Sequence, residues 1–142
     1  MKKSLITTFW ALMGMFIVIL CQFFVPVFQE LFRGSLLFLS PFLIFSLLGG
    51  LLIFLTRKEK IEGKLKKLLI LTGASAAGFF IFVLLHNVFY ALGVIVSGII
   101  ILRYLAEILS VTSFLIATIV CPLGFLIGAL GSIIIFVKRK RS

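Results

Sequence analysis

Four stretches of this chain are almost unbroken runs of apolar residues, separated by short polar or charged intervals. A helix rises about 1.5 Å per residue, so about 20 apolar residues cross a hydrocarbon core of roughly 30 Å. The runs Ser4–Gln29, Gly34–Thr56, Leu68–Leu102 and Ile108–Val137 all reach that length. They predict an all-α, polytopic membrane protein in one domain, residues 1–142, with four transmembrane helices at 5–28, 35–56, 68–92 and 110–137. Ser40-Pro41 early in the second run reads as an N-cap followed by proline at the first helical position, with residues 34–39 as an interfacial approach.

The third run is too long for one simple span. Gly93 and Gly98 interrupt its pattern, so residues 93–109 are expected to form a hydrophobic connection, interfacial or re-entrant, with Arg103 and Glu107 near its end. A fifth crossing over residues 91–109 is the rival. It would set two helices back to back without a polar turn and put Arg103 in the hydrocarbon, where a central arginine costs at least about 3 kcal/mol.

Composition strengthens the membrane reading. Hydrophobic residues make up 63% of the chain, 17 of the 142 residues are phenylalanine, and there is no aspartate. A soluble domain of this length needs more polar surface than these residues can supply. The net charge of +10 does not point to nucleic acid, because the charges sit in short blocks flanking apolar runs and not on one basic face.

Those blocks set an orientation. Lys2 and Lys3 precede the first helix. Arg57, Lys58, Lys60, Lys64, Lys66 and Lys67 fill the loop 57–67, and Lys138 to Arg141 follow the last helix. Only Arg33 and Arg103 fall on the other side. The positive-inside bias predicts an N-in/C-in, multi-pass protein of a prokaryotic cytoplasmic membrane. The basic loop is expected to lie on anionic lipid headgroups, at about 1 kcal/mol of attraction per basic residue; docking of an acidic partner is the alternative. The first helix is expected to stay uncleaved, since its apolar run is long and no small-x-small site follows. Trp10, Tyr90 and Tyr104 fit interfacial belts.

Small residues mark the expected packing faces. Gly124, Gly128 and Gly131 share one face of the fourth helix, and Gly73, Ala77 and Gly78 belong to a small-residue cluster in the third. Helices in lipid associate through such close-packing surfaces. Internal packing of the third helix on the fourth is one reading, and self-association through the fourth is the other. Pro122 removes a backbone donor and crowds the carbonyl of Thr118, which predicts a kink.

His86 and Asn87 form the main polar pair, with Tyr90 one turn on. Gln22 falls at a similar depth, as do Cys21 and Cys121. Mutual or water-mediated hydrogen bonding is what intramembrane polar groups require. The sharper alternative is a ligand, lipid-headgroup or soft-metal site on His86 with Cys21 and Cys121, although no intramembrane carboxylate assists. The lack of such a carboxylate also argues against a proton-coupled pump. The sequence contains no CxxC, HExxH, GxSxG or Walker motif, so no enzyme and no cofactor is predicted.

Two segments, Leu71–Phe79 continuing to Leu85–Tyr90, and Ile119–Phe125 with Gly128 and Gly131, resemble small uncharacterised bacterial membrane proteins. The resemblance implies a four-helix membrane protein and no particular activity. The expected function is a non-enzymatic membrane subunit or accessory protein that packs on itself or on a larger partner through Gly124, Gly128, Gly131, Gly73 and Ala77. The alternative is an oligomeric transporter or channel subunit with a polar site at Gln22, His86 and Asn87.

Overall fold

The computed structural model describes residues 3–32 and 34–141. Of the basic residues on which the expected orientation rests, Lys2 and Arg33 lie outside the described residues, as do the side chains of Arg139, Lys140 and Arg141. The described residues are helical throughout apart from short turns. In order they form α1 (Lys3–Phe24), α2 (Pro26–Phe32), a 3-10 turn (Leu36–Leu39), α3 (Ser40–Lys58), α4 (Gly63–Ile95), α5 (Ile100–Leu115), a π turn (Ile116–Val120) and α6 (Cys121–Arg141). Four helices are long and apolar enough to cross a membrane: Lys3–Phe24, Leu37–Lys58, Gly63–Ile95 and Ile100–Lys138.

The helix boundaries depart from the expected ones for identifiable reasons. The first span ends at Phe24 and not at residue 28, because Pro26 has no N–H to continue the ladder and instead starts α2. The second begins at Ser40, after Ser35 has capped the 3-10 turn through its hydroxyl (Leu37 N–H, 3.1 Å). Leu39, one residue earlier than expected, takes the cap position. The basic loop 57–67 shrinks to residues 59–62. Lys60 (φ 48°) and Gly63 (φ 70°) reverse the chain there in the left-handed region. Lysine is a good helix former, so Lys64, Lys66 and Lys67 continue the first turns of α4 and do not delay them.

The largest correction concerns residues 93–109, which do not form an open connection. The turn covers only residues 96–99, and α5 begins at Ile100. Arg103 and Glu107 sit four apart on α5 and form an ion pair of 2.9 Å, so the charges that suggested a break satisfy each other on a continuous helix. The fourth span thus starts ten residues before the predicted 110 and runs for 39 residues through the π turn. At about 1.5 Å per residue it is nearly 60 Å long, and the 33-residue α4 is about 50 Å, against about 28 Å for the 19-residue α3.

Packing explains how these unequal helices combine. α3 and α4 approach so closely that a Cβ on Gly49 would lie 2.6 Å from the Gly73 carbonyl oxygen, and one on Gly73 the same distance from that of Gly49. Only glycine permits that approach. α4 and α6 interlock by a second glycine series. Gly131 faces Leu68, Gly128 faces Thr72, and Gly124 faces Ser75. α1 packs along α3 and reaches α6 through its aromatic side chains. Phe16, Phe45 and Phe125, from α1, α3 and α6, form a three-ring cluster with centroids 4.6–6.1 Å apart.

The N-terminal end of α1, the α3–α4 turn and the end of α6 share one end of the bundle, where Ser4 Oγ donates to Glu59 and Phe9 packs on Phe136. This basic end is four helices thick. At the far end, Phe42 near the start of α3 stacks on Phe79, 5.7 Å between centroids. Beyond that level α4 continues for about four more turns, paired with α5 alone.

Candidate functional site

The far end of the α4–α5 hairpin holds a cavity of about 630 Å³, lined in part by His86, Tyr90, Ser97, Arg103, Glu107 and Ser110. His86 links the two helices. Its Nδ1 lies 3.0 Å from the Ser110 carbonyl oxygen and 2.9 Å from Ser110 Oγ, while Ser110 Oγ donates to the His86 carbonyl at 3.3 Å. With the ring proton on Nδ1, the ring donates to the Ser110 carbonyl and Nε2 is an acceptor; with it on Nε2, Nδ1 accepts from Ser110 Oγ. Ser110 is buried, whereas the Arg103–Glu107 pair is half exposed. About two turns further along α4 the helices are in ordinary van der Waals contact, where a Cβ on Gly93 would lie 3.6 Å from that of Ala106.

A second volume, about 410 Å³, lies mid-span between α1, α4 and the π turn with α6. Its walls are apolar, chiefly Phe16, Ile19, Phe23, Phe79 and Phe125, with Cys121 at one side. The π turn borders it. Pro122 has no N–H to give to the Thr118 carbonyl, and just before it Cys121 N–H reaches back five residues to Ile116 O. The break expected at Pro122 therefore takes the form of a widened turn, with Thr118 Oγ1 bonded to Phe114 O at 2.8 Å.

The two volumes occupy the same side of the hairpin. Along α4, Ser75 and Phe79 from the apolar groove and His86, Tyr90 and Gly93 from the polar cavity recur at spacings of three, four and seven. Along the partner helix, Arg103, Glu107 and Ser110 lead by the same spacing through Phe114 to Thr118, Cys121 and Phe125. Phe114 packs against His86, with ring centroids 5.2 Å apart, at the level between the volumes.

No family model, curated protein or solved structure matches the chain.

Of the four residues expected to share a polar site, the structure brings together His86 and Tyr90. Gln22 is buried against the leading turn of α3, where Nε2 donates to Phe38 O at 3.0 Å, and it does not line the cavity. Its Oε1 has no hydrogen-bond partner among the described residues. Asn87 is exposed and bonds its own helix at Val83 O, 2.8 Å. The proposed soft-metal grouping also fails to assemble. His86 is held by Ser110, Cys121 is buried beside Gly78 (a Cβ there would lie 3.4 Å from its Sγ), and no three His, Cys, Asp or Glu side chains converge among the described residues.

The packing faces also change partners. Gly73 and Ala77 belong to the α3 interface and not to the one with α6; Ser46 Oγ donates to Ala77 O at 3.2 Å. Gly124, Gly128 and Gly131 are covered by α4, and Gly78 meets Cys121. That series is unavailable for self-association while the bundle is intact. Sequence reasoning missed Ser97 and Ser110 in the cavity. Ser110 follows Glu107 by three residues and so shares its face, which was the available signal.

Proposed function

We propose that this chain is a non-enzymatic, multi-pass protein of a cytoplasmic membrane, with both ends on the cytoplasmic side, that holds an amphipathic lipid along one side of its α4–α5 hairpin. The observation that carries this reading is the alignment of a polar cavity with an apolar groove on the same helical stripe. A lipid has that division of chemistry, with a headgroup that keeps polar partners and a chain that leaves water. The basic residues at the opposite end support the orientation by their number.

The test is lipid carried through purification. The full chain, extracted in mild detergent, is expected to retain lipid in a fixed ratio to protein. Thr118→Trp, which fills the groove from an exposed position that bonds only its own helix, should lower that ratio. Equal lipid content in the two proteins would reject the reading. Reporters fused at the two chain ends test the orientation and should read the same side.

A second reading, an accessory subunit, draws on the tip of the hairpin. Ile95, Ile100 and Ile101 there are 70–80% exposed and lie beyond the level of α3. The expected sign is a cross-linked partner when a photoreactive group replaces Ile101, and none when it replaces Leu47 on α3.

A further inference from the structure

The charges of the far-end cavity come as a fixed pair of opposite sign. Arg103 uses Nε to bind Glu107 Oε1, which leaves its two Nη groups as donors and Glu107 Oε2 as an acceptor. The other polar groups in the lining are neutral hydroxyls and the His86 ring. An anion approaching Arg103 meets a carboxylate one turn away, and a cation approaching Glu107 meets a guanidinium. A group that carries both signs a few ångströms apart satisfies both. Nε2 of His86, an acceptor in the tautomer that donates from Nδ1 to the Ser110 carbonyl, adds a second site for an N–H donor.

We propose that the cavity recognises the zwitterionic headgroup of a phospholipid with a primary ammonium, phosphate on Arg103 and ammonium on Glu107, while an acyl chain lies in the Phe79–Phe125 groove. This rests on the lipid-holding reading above and narrows it to one headgroup class. Guanidinium suits phosphate because its planar fork gives parallel donors. Carboxylate and imidazole acceptors suit an ammonium that still has N–H groups. A quaternary ammonium has none, so phosphatidylcholine fills the same space without those bonds.

The test offers the full-length protein in detergent an equimolar mixture of phosphatidylethanolamine, phosphatidylcholine and phosphatidylglycerol with identical acyl chains, and native mass spectrometry reads what is retained. Loss of one charge-assisted hydrogen bond is worth about tenfold in affinity, so phosphatidylethanolamine is expected to exceed the other two by about that factor. Glu107→Gln leaves the lining net positive and should move the preference to phosphatidylglycerol. Arg103→Gln should weaken both phosphatidylethanolamine and phosphatidylglycerol, and Arg103→Lys should keep phosphatidylethanolamine ahead of phosphatidylcholine.

Equal retention of the three lipids, or a preference of the unmodified protein for phosphatidylglycerol, overturns the headgroup assignment while lipid holding itself survives. Retention unchanged by Thr118→Trp sinks lipid holding and this inference together. Soluble glycerophosphoethanolamine in excess should not displace the bound lipid. Displacement would mean that the headgroup binds alone, and would overturn the two-part site.

Discussion

At the basic end, four helices share one core, and glycine lets α3 and α6 approach α4 to within the space of a missing methyl group. At the far end, two helices run on together, joined by His86, Ser110 and the Gly93–Ala106 approach, with a cavity of about 630 Å³ beside them. Both ends are made from similarly apolar sequence. They differ in where small residues fall on facing helices, since helices in lipid gain little from apolar burial and much from fit. Close fit fills the space between helices at the basic end, and the far end keeps an open volume beside its two helices.

The strongest way to break this contrast is to spoil the fit. A Cβ at Gly128 would already lie 2.5 Å from Thr72 Oγ1 and 2.9 Å from the Leu68 carbonyl oxygen. Gly128→Leu should therefore cost about 3 kcal/mol in an unfolding titration from mild to denaturing detergent. Gly50→Leu, with nothing within 4 Å of its Cβ, should change stability by no more than about 0.5 kcal/mol. Similar losses from the two substitutions would mean that the α4–α6 contact does not determine stability.

A smaller effect is expected at the far end. His86→Ala removes the bonds to Ser110 and should cost about 1–2 kcal/mol. Hydrogen exchange should report the loss locally, as faster exchange over residues 86–110 with the basic end unchanged. Exchange that rises uniformly would show the two ends to be one cooperative unit. Ser46→Ala, which removes one bond to the Ala77 carbonyl, should cost about 0.6 kcal/mol, the average for such a bond between membrane helices. Asn87→Leu should be the mildest, within about 0.5 kcal/mol, because Asn87 touches only its own helix.

The number of long helices was legible because run length alone decides whether a segment can span a bilayer. The start of the last helix was not. Arg103 and Glu107 in isolation look like a boundary, and only their spacing of four shows that a helix can carry them as a pair. The depth of Gln22 and His86 along their helices was also readable, but their neighbours were not. Depth follows from rise per residue, whereas neighbours follow from how each helix is rotated, which the glycines determine. Gly49 shows this limit. Its own run offers no small-residue cluster comparable to that of the third run, yet its approach to Gly73 turns that cluster towards α3 and leaves Thr72 and Ser75 to meet α6.

The π turn at Ile116–Val120 has a consequence for how the chain tolerates changes in length. The buried residues Ser113, Ala117, Cys121 and Phe125 follow one another by four, a spacing that drifts about 40° per step on a regular α-helix. The widened turn absorbs that drift. Removing one residue inside it lets the segment relax to regular α geometry, with Gly124, Gly128 and Gly131 still aimed at α4. Removing one residue between Phe125 and Gly131 swings the later glycines by about 100° away from their partners. The turn is thus a reserve of slack in the longest helix, placed beside the groove and away from the glycine contacts that cannot spare a residue.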